Sequence, residues 1–367
     1  MTVQEPAPSS IIRDAAASRE LPSPALVVDL DTFLGNVEAA AAMFRGTGKR
    51  LRPHVKAHRT PGLALRQLGE FTHGVTCSTV GEAEAMVAAG IGDVVVASEF
   101  GSRPKCERLA GLAREARVAV AVDATEQIAA LSTAARQAGT EIGLYVDLDV
   151  GLHRCGAPSV DAAHRLALTV MRAPSIRLDG IMGYEGRRRA SEPDRLERIQ
   201  VAYEMLGRLE DRLTRDGIPV GVVTGAGTST LREAVGESPV SEIQAGTYAF
   251  MEPDLAGLGL PFEQAVRVSA TVISRSRGQV VLDAGRTSIA CDSGLPTVAA
   301  TDGVVTRVFQ EHTVVALAGG VRPAIGDRVD LWPGHIPLTF NLHDLVWVVR
   351  DGKVVEALPI VARGRSS

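Results

Sequence analysis

The chain is short of aromatic residues, 4% of 367, and has only four cysteines. Cys77, Cys106, Cys155 and Cys291 stand far apart with no Cys-x-x-Cys pair. This excludes a disulfide framework and a four-thiolate zinc site as organising elements. Neither charge is in excess: 39 Lys and Arg stand against 43 Asp and Glu, a formal charge of -4. No bulk basic character is left for binding nucleic acid or an anionic membrane. Long apolar runs are missing as well, because Gly, Asp or Arg interrupts each one before it reaches bilayer length. The opening MTVQEPAPSSIIRDAAASRE carries acidic residues and no apolar stretch, so it is not expected to act as a secretion signal. These absences point to a cytoplasmic, enzyme-sized protein with no nucleic-acid or membrane partner. With so few rings, its core must be built from Ala, Val, Leu and Ile.

What is present is alternation. Short Val/Ile-rich runs occur at 51–56, 74–79, 93–98, 118–123, 141–149, 176–184, 220–227 and 242–248, separated by Ala-, Leu- and Glu-rich stretches of helical period. Eight such units are the number needed for an α/β chain closed as a (β/α)₈ barrel. A further strand–helix unit, ALVVDLDTFLGNVEAAAAMF (25–44), precedes them. Beyond about residue 256, AVRVSATVISRSRGQVVLDAG, HTVVAL, DRVDLW and LVWVVRDGKVVEALP alternate apolar and polar residues between glycine turns. That pattern predicts an antiparallel β domain. The expected organisation is a loose segment over 1–21, a barrel over 22–255 and a C-terminal β domain over 256–367.

Three segments carry chemistry. Arg52-Pro53-His54-Val55-Lys56-Ala57-His58 puts a lysine at the end of the first barrel strand. Barrel active sites gather at strand C-termini, and a desolvated lysine there can lose its proton and act as a Schiff-base nucleophile. A surface lysine in a βα loop fits the same residues. The seventh and eighth strands end in Thr224-Gly225-Ala226-Gly227-Thr228-Ser229 and Gln244-Ala245-Gly246-Thr247-Tyr248. Glycine-rich loops at these two strand ends commonly hold phosphate on backbone N–H groups. A lysine and a phosphate cradle together suggest pyridoxal phosphate.

PALVVDLDTFLGN, LRPHVKAHRTP, DLDVGLHRCGAP, GIMGYEG, GAGTST and EIQAGTY, in this order over about residues 22–365, resemble the D-threonine aldolase / D-serine dehydratase family. These are pyridoxal-phosphate enzymes with an alanine racemase-like N-terminal barrel. The resemblance implies that Lys56 carries the cofactor as an imine and moves the Cα proton. It sets Arg154 near the cofactor's phenolic oxygen, and Asp147 where alanine racemase has a modified lysine with a carboxylate-like charge. His54 and Tyr184 would line the pocket, and Gln244 would face the pyridine nitrogen. Gly225, Gly227, Thr228, Gly246 and Tyr248 would hold the phosphate. It also implies a homodimer acting on a small amino acid.

Two departures bear on the reaction. Lyases of this family carry a divalent metal (Mn, Mg or Zn) on a His-x-Cys or His-x-Asp pair. Here His335 is followed by Ile336 and Pro337, and proline offers no donor. His335 is thus either a structural histidine, a ligand of a metal site rebuilt with His312 or His343, or, like His312, a general base for the substrate's β-hydroxyl. In addition, no tyrosine follows Tyr248, which disfavours the lysine/tyrosine pair of a two-base racemase. The implied activity is retro-aldol cleavage of a D-β-hydroxy amino acid to glycine and an aldehyde. The alternatives are a dehydratase yielding keto acid and ammonia, a metal-independent racemase or epimerase, and a non-catalytic pyridoxal-phosphate homeostasis protein.

Overall fold

The computed structural model describes residues 21–299, 303–317 and 323–367. These form two compact units. Among the described residues, one comprises 38–248 with 257–260 and 364–367; the other comprises 21–37, 249–256 and the described part of 261–363.

The first unit is the expected barrel. Its strands are β2 (Arg50–Leu51), β3 (Val75–Cys77), β4 (Asp93–Val96), β5 (Arg117–Val122), β6 (Ile142–Asp147), β7 (Ile176–Gly183), β8 (Val222–Gly225) and β9 (Glu242–Ile243). All are parallel, in the order β2-β9-β8-β7-β6-β5-β4-β3. A parallel bridge between His54 and Thr76 closes the ring, with Thr76 N–H donating to Pro53 O at 2.9 Å. Helices return the chain between strands, as right-handed crossovers require. The longest, Arg195–Arg215, buries Ile199, Ala202, Tyr203, Leu206, Leu209 and Leu213, an apolar stripe of helical period. Val95, Ala119, Ala121, Tyr145 and Met182, from four neighbouring strands, form one packed cluster. Small and branched residues fill the interior, as the scarcity of rings required.

The first barrel strand is shorter than expected. The run 51–56 reads as continuous β, yet β2 stops at Leu51, and Val55–Ala57 form a 3₁₀ turn. Pro53 has no N–H to give to the ladder, so the regular strand is interrupted there; His54 N–H still donates to Ala245 O at 3.0 Å, and the chain leaves the sheet after it. Lys56 therefore sits on a tight turn just above the strand.

The second unit is a mostly antiparallel sheet of nine strands. Its main path runs β13 (Gly303–Val308), β14 (Thr313–Leu317), β11 (Gln279–Leu282), β10 (Val266–Ser276), β1 (Ala25–Asp29), β16 (Leu345–Arg350) and β17 (Lys353–Pro359). β15 (Arg328–Trp332) pairs with β10 and with β12 (Thr297–Val298). β1, which falls within the 22–255 segment expected to form the barrel, belongs to this sheet and not to the barrel. It lies antiparallel to β10 and parallel to β16. Eight strands already close the barrel, so a ninth finds no open ladder there. The ALVVD sequence, buried along almost its whole length, is satisfied on both edges by β10 and β16. Leu21 is also structured, being buried and accepting a hydrogen bond from Arg328; residues 1–20 of the expected loose segment lie outside the described residues. In this unit Phe33 and Phe340 flank Phe250, each with ring centroids 5.3 Å from it.

Candidate active site

The barrel's strand ends bring together most of the residues marked in the sequence. The Lys56 turn packs against the loop after β9: a Cβ on Gly246 would fall 2.7 Å from His54 O and 3.3 Å from Ala57 Cβ. Only a glycine allows that approach. After β8, a Cβ on Gly227 would lie 3.4 Å from the ring of Tyr184, and Tyr184 in turn lies under the Arg154 guanidinium, 5.7 Å from its ring centroid. The segments of Lys56, Arg154, Tyr184, Gly227 and Gly246 thus meet around one mouth.

Electrostatics agree with that convergence. His54 is buried, and its pKa is pushed well below the ordinary imidazole value by burial, then by the charges of Lys56, Arg154 and His58. Its Nδ1 is buried with no hydrogen-bond partner. A buried polar atom left unsatisfied costs free energy, so a polar group bound here would relieve that cost. Burial also raises the Tyr184 phenol to about 12, so the ring is neutral near pH 7.

Gln244 is held in one orientation by a directional chain. Thr224 Oγ1 donates to the Glu242 carboxylate at 3.1 Å and so must accept from Gln244 Nε2, at 3.0 Å. Nε2 also reaches Met182 Sδ at 3.6 Å. The amide therefore keeps Oε1, an acceptor, as its remaining polar atom. Tyr248 is fully buried. Its N–H donates to Thr228 Oγ1 at 3.0 Å, and its hydroxyl accepts from Gln67 Nε2 at 3.0 Å. It braces the glycine loop from within the wall.

Several residues were not marked as site candidates in the sequence. His58 Nδ1 accepts from Thr60 N–H at 3.1 Å, which makes Nε2 the protonated nitrogen, donating to Gln67 Oε1 at 3.0 Å. Burial pushes this imidazole down to about 4, and the His58–Gln67–Tyr248 chain ties the lysine turn to the β9 loop. The Asp147 carboxyl is held well above its usual range, first by burial and then by the charge of Glu99, which lies past the end of β4. Asp123, at the end of β5, accepts from Gly156 N–H at 2.9 Å and from Gln127 Nε2 at 2.8 Å. The only local signal for Glu99 was a polar residue just past a strand end, and Ser98 beside it carries that signal equally well.

In the second unit, His335 caps a short helix, Ile336–Asn341, with Pro337 at its second position. Ile336 N–H donates to Glu252 Oε1 at 3.0 Å, so the start of this helix already has its anion. His335 Nδ1 stands 4.0 Å from Asp292 Oδ2. His343 Nε2 bonds to Ser288 O at 2.7 Å, and His312 lies exposed in the turn between β13 and β14. No three His, Cys, Asp or Glu side chains come together as a metal site among the described residues. The donors here do not fit the divalent metal that the family implies.

A parallel eight-stranded barrel with a lysine turn and glycine loops at its mouth, together with a β domain, defines the alanine racemase type of fold. The alanine racemase N-terminal domain model matches residues 28–253, and a putative serine dehydratase domain model matches 265–349. D-threonine aldolase of Arthrobacter sp is 36% identical over 94% of this chain and 93% of its own length. 3-Hydroxy-D-aspartate aldolase of Paracoccus denitrificans (strain Pd 1222) is 34% identical at the same coverage. The crystal structure of D-threonine aldolase from Filomicrobium marinum superposes with a TM-score of 0.92 at 36% identity, covering 95% of this chain and 98% of that one. The chain belongs to the D-threonine aldolase family of alanine racemase-like enzymes. No helix among the described residues is long and apolar enough to cross a membrane.

Proposed function

We propose that this protein is a pyridoxal-phosphate lyase that cleaves a D-β-hydroxy amino acid by retro-aldol reaction to glycine, or a related amino acid, and an aldehyde. The observation that carries this reading is the packing of the Lys56 turn on the Gly246 loop, in the same mouth as Gly227, Tyr184 and Arg154. The likeness to two aldolases over nearly the whole chain supports it.

The residues fit the cofactor. Lys56 would hold its aldehyde carbon and return a proton at Cα. Gly225, Gly227, Thr228 and Gly246 would receive the phosphate, with Tyr248 behind them. Arg154, oriented by Asp147, would meet the phenolic oxygen. His54 and Tyr184 would line the ring, and Gln244 Oε1 would accept from a protonated ring nitrogen. Bound there, pyridoxal phosphate supplies the electron sink for the pair released as Cα–Cβ breaks.

Because the donor set does not fit a metal, the proton of the β-hydroxyl falls to a side chain. His335, with Asp292 within ion-pair reach, is the first candidate and His312 the second. Alanine variants distinguish them: the residue that serves loses about 10² to 10⁴ in kcat, and the other keeps wild-type turnover. We further propose a cytoplasmic homodimer, which light scattering and cell fractionation would check.

The deciding experiment is a proton NMR time course in D₂O with D-threonine, D-phenylserine and D-serine, run with Mn²⁺ and with chelator. Glycine and aldehyde are expected under both conditions. Keto acid with ammonia would instead make the protein a dehydratase, and Cα deuteration with inversion a racemase. No turnover with a bound cofactor would point to a homeostasis role.

A further inference from the structure

Below the mouth, the barrel holds a buried ion pair that the proposed reaction does not use. Arg52, just past β2, is 6% exposed. Its Nη1 donates to Asp93 Oδ1 at 2.7 Å, and its Nε stands 2.9 Å from Glu242 Oε2. Gly74 leaves room for this arrangement, since a Cβ there would fall 2.6 Å from Arg52 Nη1 and 2.4 Å from Asp93 O. The charges continue to Arg117, 4.0 Å from Asp93 and 2.9 Å from Asp179, and to Arg177, which also pairs with Asp179. Burial raises the nearby Tyr145 phenol, which stays neutral.

Glu242 turns its other oxygen away from this pair: Oε1 accepts from Thr224 Oγ1 at 3.1 Å. A guanidinium keeps its charge, and a buried charge needs a counter-charge, which Glu242 and Asp93 supply as carboxylates. A carboxylate only accepts, so the Thr224 hydroxyl gives its single proton to Glu242. Thr224 then has only lone pairs left, and these face the Gln244 NH₂ group at 3.0 Å. The charge of Arg52 thus sets the sense of a hydrogen-bond chain that ends at the Gln244 amide.

We propose that Glu242, held as an anion by Arg52, is a positioning residue: acting through Thr224, it keeps the Gln244 amide oxygen toward the cofactor's ring nitrogen and so keeps that nitrogen protonated. This role rests on the cofactor reading above, in which Gln244 faces the ring nitrogen. A protonated ring draws electrons more strongly than a neutral one. The ion pair therefore sets the strength of the electron sink without touching the cofactor.

Glu242→Gln should reverse the chain. Its amide oxygen stays toward Arg52, which offers only donors, and its NH₂ group donates to Thr224. Thr224 then donates to Gln244 Oε1, and Gln244 turns its own NH₂ group to the ring. Asp93 still balances Arg52 in this variant. Thr224→Val instead cuts the chain and leaves the Gln244 amide free to turn either way.

The test is nitrogen NMR of the holoenzymes, reconstituted with pyridoxal phosphate isotopically labelled at the ring nitrogen and titrated with pH, alongside a crystal structure of the wild-type holoenzyme. The expected result is a ring nitrogen protonated near pH 7 in wild type, with a midpoint lower by about one pH unit or more in E242Q. T224V should fall between the two, whereas a merely structural role would make T224V at least as damaging as E242Q. An E242Q midpoint equal to that of wild type overturns the proposal, and so does a T224V midpoint at or below that of E242Q. An unprotonated wild-type ring nitrogen beside Gln244 also overturns it, and decides the matter even if neither variant folds. A ring nitrogen placed away from Gln244, or no bound cofactor, overturns the cofactor reading and this inference with it.

Discussion

At the residue scale, function depends on how a few side chains are kept uncharged or in one orientation. Lys56→Ala is expected to abolish the visible cofactor band and to lower turnover by at least about 10⁴, read by absorption and by aldehyde release. His58 gives a pH prediction. Its imidazole is buried and lowered to about 4 in the folded protein, against about 6.5 when unfolded. Between these values the unfolded chain binds the extra proton, so stability is fully present above about pH 6.5 and is lost as pH falls through 4. The loss is on the order of 3 kcal/mol. Urea unfolding at pH 7 and pH 4.5 should show a smaller drop for His58→Gln than for wild type.

Elements matter where they touch. The Lys56 turn and the β9 loop are in register because residue 246 has no side chain. Gly246→Val would drive a Cβ into His54 O, and overpacking of this kind costs about 1–3 kcal/mol. Cofactor affinity should weaken by roughly 5- to 100-fold, measured by fluorescence titration, with the fold retained by circular dichroism. The helix at Ile336–Asn341 carries the opposite prediction. Pro337 gives it a rigid start and no ligand, so the dialysed protein should hold no stoichiometric metal by mass spectrometry. Pro337→Asp, an acid placed favourably in a first helical turn, should begin to retain Mn²⁺ alongside His335.

For the whole molecule, the consequential feature is that the chain's first described strand completes its last sheet. β1 sits between β10 and β16, and Ala25 and Val27 share a buried cluster with Leu21 and Val349. A fragment covering 256–367 alone would expose two unpaired strand edges and an open core. It should show no cooperative thermal unfolding by calorimetry, whereas adding residues 21–29 through a linker should restore a transition.

Local chemistry is legible in one dimension, so the alternation of eight strand–helix units, the strand-end lysine and the two glycine loops could all be read from the chain. Strand periodicity follows from which face is buried, and glycine from where backbones must meet; both leave marks within a few residues. Only the tertiary structure assigned β1 to the second sheet, because a strand pattern names no partner and a closed barrel accepts no ninth strand. Only it brought the charge of Glu99 to bear on Asp147 across an intervening strand, and joined His58 to Tyr248 through Gln67. These are pairings between distant segments, and their cause is the burial that folding creates: a carboxyl or an imidazole acquires its protonation state from neighbours that the sequence keeps apart.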